Sequence, residues 1–218
     1  MKTLQSGGHS SQSGEVCLLE AVSVLAGEVF SDHPESACPV LATFGRALND
    51  AMPDDETRGL LLPLVPLLIG TRDAEKEQAR AFIFADSAVR LFAPIALDAA
   101  GLTEQAQMLR NLPAIVGTKT ARAAAWAASE AASTASTAAS TASTATSEAA
   151  RAARAARAAS TATSEAARAA RAASTAARAV IAESAAWAAW AASEAAEAAR
   201  EANDWQVAVA VFREAIAL

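Results

Sequence analysis

The chain has 218 residues, 53% of them hydrophobic and 19% charged, with a net charge of −6. That length holds one or two domains, and the acidic balance gives no general attraction to nucleic acid or to an anionic membrane. Cys17 and Cys38 are too few for a disulfide framework, residues 1–14 lack the apolar core of a secretory signal, and the longest apolar run, residues 60–69, is broken by Pro63 and Pro66 and is shorter than the ~20 residues of a membrane span. The expectation is a cytoplasmic protein with reduced thiols and no cofactor.

Residues 1–13 (MKTLQSGGHSSQS) read as a disordered tail, polar and rich in Ser and Gly. A first helix is predicted over 15–26, capped by Ser13, with Glu15 at the positive end of its dipole and Gly27 closing it. A loop over 28–37 follows. Pro39 then suits the first position of a second helix, which runs to Ala51 and stops before Pro53. Asp54 or Asp55 caps a third helix over 56–69, which Pro63 and Pro66 kink or split. Gly70 ends it. Asp73 opens a long fourth helix through Phe92, bent at Pro94 and ended by Gly101. Thr103 caps a short helix to Leu112. No stretch alternates as a strand would. Residues 14–117 therefore read as a compact helical domain with enough Phe, Leu and Val for a core of its own.

After Gly117 the character changes. Residues 118–218 contain no Gly or Pro, and alanine, the best helix former, dominates. STATSEAARAARAA occurs at 143–156 and again at 160–173, and AAWAASEAA at 124–132 and again at 188–196. Residues 118–202 thus form alanine-rich repeat helices. Residues 203–218 form a capping helix with Trp205, Val209, Phe212 and Ile216 on one side.

With Ala121 at position a of a heptad, 16 of the 17 a and d positions from 121 to 177 are alanine, Thr163 being the exception. The predicted packing seam runs through Ala124, Ala128, Ala131, Ala135, Ala138, Ala142, Ala145, Ala149, Ala152, Ala156, Ala159, Ala166 and Ala170. A sustained 3.5-residue repeat implies a left-handed supercoil. Small knobs need close helix axes, and each buries little, so stability must be gathered over length. Two arrangements satisfy the seam. A hairpin turning near residues 157–160 brings Trp126 toward Trp187 and Trp190. A dimer of long helices needs no turn. The fold class is all-α in either case: a compact N-terminal helical domain plus long alanine-rich helices in a coiled-coil or hairpin arrangement. Arg151 and Arg168 are placed to pair with Glu148 and Glu165 on their own helix.

Two further features carry chemistry. Cys17, Glu20, Asp32, His33 and Cys38 are ligand types that suit zinc, although no CxxC or HxxxH spacing organises them. The structural alternative has Ser31 or Asp32 capping the turn at Pro34, His33 bonded to Glu20, and both cysteines filling core. Thr134, Thr137, Thr141 and Thr144, beside a parallel row of serines, form a hydroxyl-lined face. It is solvated surface or, in the manner of the alanine-rich fish antifreeze helices that the composition resembles, an ice- or water-ordering face. Those helices repeat threonine every eleven residues, and this chain does not.

Residues 15–41 (EVCLLEAVSVLAGEVFSDHPESACPVL), with NDAMPDD at 49–55, LVPLLIGTRD at 64–73 and FAPIALDAAGL at 92–102, resemble a bacterial and phage family that joins such a helical domain to alanine-rich xAA triplets. Its relatives often place Tyr or Asp at x, where this chain, which has no Tyr, places Ser-Thr, Trp and Arg. The resemblance implies a boundary near residue 117 and a cytosolic setting. It implies no catalytic residues, since the family carries no established function. The function expected is therefore that of a non-enzymatic structural or interaction protein whose alanine coil self-associates or docks partner helices. The ice-binding surface and the metal site are the alternatives.

Overall fold

In the computed structural model residues 3–145, 152–179 and 185–218 are described, and every regular element among them is helical. α1 (Leu18–Ala26) starts later than its sequence suggests. Gln5 donates its N–H to the Val16 carbonyl at 2.9 Å, which holds residues 15–17 extended. The helix begins instead where the Glu20 carboxylate accepts the Cys17 N–H at 2.7 Å, and Gly27 ends it in the left-handed region. α2 (Pro39–Ala51) matches its prediction. The third helix is split by its prolines into α3 (Asp55–Arg58), a 3₁₀ turn over Gly59–Leu64, and α4 (Val65–Leu68).

The fourth helix divides into α5 (Ala74–Ser87), a π turn over Ala88–Phe92 and α6 (Ala93–Ala99). Pro94 accounts for the π turn. It has no N–H to offer the carbonyl four residues back, and the Ala93 N–H bonds the Ala88 carbonyl five back instead. α7 (Thr103–Arg110) follows. Then come α8 (Thr118–Ala145), α9 (Ala152–Ala179), α10 (Ala185–Ala202) and α11 (Trp205–Ala217). Asn203 closes α10 with φ 53, and the Asp204 carboxylate caps α11 by accepting the Val207 N–H.

The residues expected as a disordered tail are docked. Leu4 is fully buried. Asn49 of α2 donates to the Gln5 carbonyl, Asp50 accepts the Gly7 N–H, and Asp55 accepts from the Gln5 side chain.

The alanine helices form part of the same core. α8 packs on α9 and touches α7, α9 packs on α10, α6 and the π turn, and α10 packs on α2 and α5. α8 and α9 run antiparallel: Ser174 Oγ donates to the Ala125 carbonyl at 2.8 Å, and Arg171 reaches Ser136 Oγ at 2.8 Å, so numbers fall along one helix as they rise along the other. This is the intramolecular hairpin, but residues 157–160 lie inside α9, so the chain does not turn there. The repeat runs helical straight through that stretch because nothing in it interrupts alanine's preference.

Thr161, Ser164, Arg168, Arg171 and Thr175 form a 3-4-3-4 stripe of exposed and half-buried polar residues on α9. The flanking Ala166, Ala167, Ala169, Ala170, Ala172, Ala173, Ala176 and Ala177 are buried on its other sides. One-methyl side chains let a helix be covered on three sides. The Arg168 guanidinium, expected on Glu165, crosses to Glu201 of α10 at 2.9 Å, because antiparallel packing brings that carboxylate over the stripe.

α11 returns to the first helices. Phe212 joins Phe44 of α2 and Phe84 of α5, with ring centroids 5.3 and 6.4 Å away, and Phe44 stacks on Phe84 at 4.2 Å. The buried Arg80 donates to the Ala215 carbonyl at 3.2 Å and the Thr71 carbonyl at 2.7 Å, tying the last turn of α11 to the loop before α5.

Candidate interaction groove

The five candidate metal ligands are not brought together. Among the described residues no three His, Cys, Asp or Glu side chains are placed to hold a metal ion. Glu20 is buried at the start of α1, and His9, not His33, meets it: the His9 N–H lies 2.6 Å and its Nδ1 2.8 Å from the carboxylate. His33 sits out in the loop, its side chain 70% exposed, with Nδ1 2.6 Å from Asp32. Cys17 and Cys38 are buried and unpaired, each preceding a helix. Burial pushes the Cys17 thiol up to about 11, which favours its protonated form at neutral pH.

Ala124, Ala128, Ala131 and Ala135 of α8 and Ala166 and Ala170 of α9 are buried, and Ala138 is half-buried. The side chains of Ala142, Ala145, Ala152, Ala156 and Ala159, and all of Ala149, lie outside the described residues. Thr134 and Thr137 are exposed, and each hydroxyl donates back to the carbonyl four residues earlier, on Glu130 and Ser133. The side chains of Thr141 and Thr144 lie outside the described residues.

A larger feature lies beside the π turn. α5, the π turn, residues 114–116 and α11 enclose a groove of about 710 Å³. Phe82, Ile83 and Ile95 form its floor and are covered in part. Leu91, Val116 and Leu218 stand at its edges, 43%, 77% and 44% exposed. Such side chains around one depression are unusual for a surface that meets only water.

The groove has a defined frame. Asp86 and Arg90 lie one helical turn apart and pair at 3.0 Å. Asp86 also accepts the Ile115 N–H at 2.8 Å, which fastens the 114–116 segment against α5. Arg90 belongs to the π turn, so the backbone shift that Pro94 causes also sets where this guanidinium stands. Its Nε is buried without a hydrogen-bond partner. Arg110, paired with Asp98, and Glu214 complete a rim of both signs. The sequence gives little warning of this groove, because its walls come from residues 79–95, 110–116 and 207–218, which only the return of α11 brings together. The local signal is the Asp86–Arg90 spacing just ahead of Pro94.

Comparison of the chain with protein-family models, with curated proteins and with solved structures finds no significant match to any of them.

Proposed function

We propose that the chain is a non-enzymatic interaction protein, a helical scaffold that docks an amphipathic helix of a partner protein in the groove beside the π turn. The observation that carries this reading is the set of exposed apolar side chains, Leu91, Val116 and Leu218, around a preformed apolar floor. Helix-in-groove recognition uses such a floor for the apolar stripe of the incoming helix. A rim that alternates Asp86 and Arg90 with Arg110 and Glu214 suits a helix with flanking charges of both signs.

The alanine seam serves this reading from within. Where α8 meets α9 its alanines are taken up inside the chain, so it supports the scaffold and leaves partner docking to the groove. A cytoplasmic setting agrees with two unpaired thiols, and no helix among the described residues is long and apolar enough to cross a membrane.

Site-specific photo-crosslinking in cells tests the proposal. A photoreactive residue at Leu91 or Val116 is expected to give a discrete adduct with another protein, and one at the exposed Ala123 of α8 is expected to give none. Phe82→Glu, which puts a charge on the floor, should abolish the adduct. No adduct from the groove positions, or the same adducts from all three, contradicts it.

A further inference from the structure

A second, smaller cleft lies beside the loop that carries His33. It has a volume of about 270 Å³ and is walled by His33, Thr43, Arg46 and Arg72, with Pro34 and Ala42 among its apolar lining. We propose that this cleft binds a small phosphate dianion, either inorganic phosphate or the terminal group of a short soluble phosphomonoester.

The argument begins with the two arginines. Arg46 rises from α2 and donates to the Asp32 carbonyl at 2.7 Å. Arg72 stands before α5 and donates to the Glu35 carbonyl at 3.1 Å. Each guanidinium has five N–H donors in a fixed fork, so one carbonyl apiece leaves most of them for another acceptor. Among the described residues neither is ion-paired with a carboxylate, whereas Arg58, Arg90, Arg110, Arg168 and Arg200 all are. Two of the neighbouring acids are held by other partners. Asp32 holds His33, and Glu28 accepts the N–H groups of Glu35 and Ser36. Two unneutralised cations facing one cleft repel each other, and an oxyanion between them removes that cost.

The frame is also stiff. The Glu28 carboxylate bridges the N–H groups of two loop residues, and the Arg72 N–H bonds the Ser36 carbonyl at 3.0 Å. Thr71 Oγ1 accepts the Cys38 N–H at 3.0 Å, joining the start of α2 to the segment that carries Arg72. Arginine positions held in this way lose little freedom on binding. Paired guanidinium forks match the oxygens of a tetrahedral dianion better than a single carboxylate. The cavity lies below the ~300–1,000 Å³ usual for drug-sized ligands, which suits a phosphate group with little attached. The chain's charge of −6 disfavours a nucleic-acid strand.

The test is a titration of the isotopically labelled full chain with inorganic phosphate at fixed ionic strength, read by backbone amide shifts. Saturable shifts confined to residues 32–46 and 71–72 are expected, with chloride at matched ionic strength giving none. Arg46→Gln and Arg72→Gln should each weaken binding about tenfold or more, and Arg213→Gln, on an exposed part of α11, should leave it unchanged. If Arg46→Gln loosens the loop and lowers the melting temperature, Arg72→Gln and the wild-type titration still decide. A parallel sedimentation with vesicles containing phosphatidic acid separates the two sources of the chemistry: protein that pellets with vesicles but ignores free phosphate overturns the soluble-ligand proposal. Absent shifts, or shifts spread over the surface and indifferent to both variants, overturn it as well.

Discussion

A Cβ added at Gly45 would stand 2.9 Å from Phe212 Cζ and 3.0 Å from Leu18 Cδ2. The glycine is what lets the ring of α11 reach across α2 to Phe44 and Phe84. Gly45→Ala, which helix propensity alone would favour, should therefore destabilise the protein by about 1–3 kcal/mol through overpacking, measured as a lower urea midpoint at unchanged slope. Glu20 is the polar counterpart. Burial pushes its pKa up, and the N–H groups of Cys17 and His9, with the His9 ring, more than offset that, leaving the carboxyl below its ordinary 4.5. A depressed folded-state pKa contributes stability that is full above the unfolded value and lost as pH falls through the folded one. Glu20→Gln should thus lower the urea midpoint at pH 7, and the gap from wild type should close as both proteins are taken well below pH 4.5. A gap that stays constant with pH would show that the carboxylate's charge contributes nothing. The identity of Glu20's partner was not legible in the sequence: both histidines precede or follow it at plausible distances, and only the docking of residues 4–9 selects His9.

At the scale of elements, local rules carried far. Pro39, Gly27, Gly70, Gly101, Asp54 and Asp73 each mark an end or a cap where the sequence places one. These signals act over one turn and need no tertiary context. One local reading fails: Thr103 is the first residue of α7, and no side chain caps that helix. The other failures depend on a neighbour. Residues 15–17 stay extended because Gln5 pairs with Val16. The heptad implies a two-helix seam, yet α9 is covered by α8, α10 and α6 together, which a count of a and d positions does not reveal. This makes a test. Ala170 of α9 is fully buried, so Ala170→Leu should cost about 1–3 kcal/mol despite leucine's good helix propensity. Ala123→Leu, on the exposed side of α8, should be nearly neutral. Thermal melts of the two variants compare them directly, and equal melting temperatures would mean that α9 is not enclosed.

Across the whole molecule, composition suggests a division at residue 117 that the buried side chains do not repeat. The core runs without interruption from Leu4 through Phe44, Phe84 and the alanines of α8, α9 and α10 to Phe212 and Ala215. Alanine-rich segments look separable on paper because each residue buries little, but here α10 is the layer on which α2 and α5 rest. The groove depends on the same arrangement, since α11 forms one of its walls. Both cysteines lie in the first 38 residues and all four tryptophans between 126 and 205, so the chain carries a probe in each part. Equilibrium unfolding in urea, followed at once by thiol reactivity and tryptophan emission, is therefore the most direct measurement. A single core predicts one transition, with Cys17 and Cys38 becoming reactive at the same midpoint as the tryptophan signal changes. A tryptophan transition completed at lower urea, while the thiols stay protected, would contradict it and restore an independent N-terminal domain.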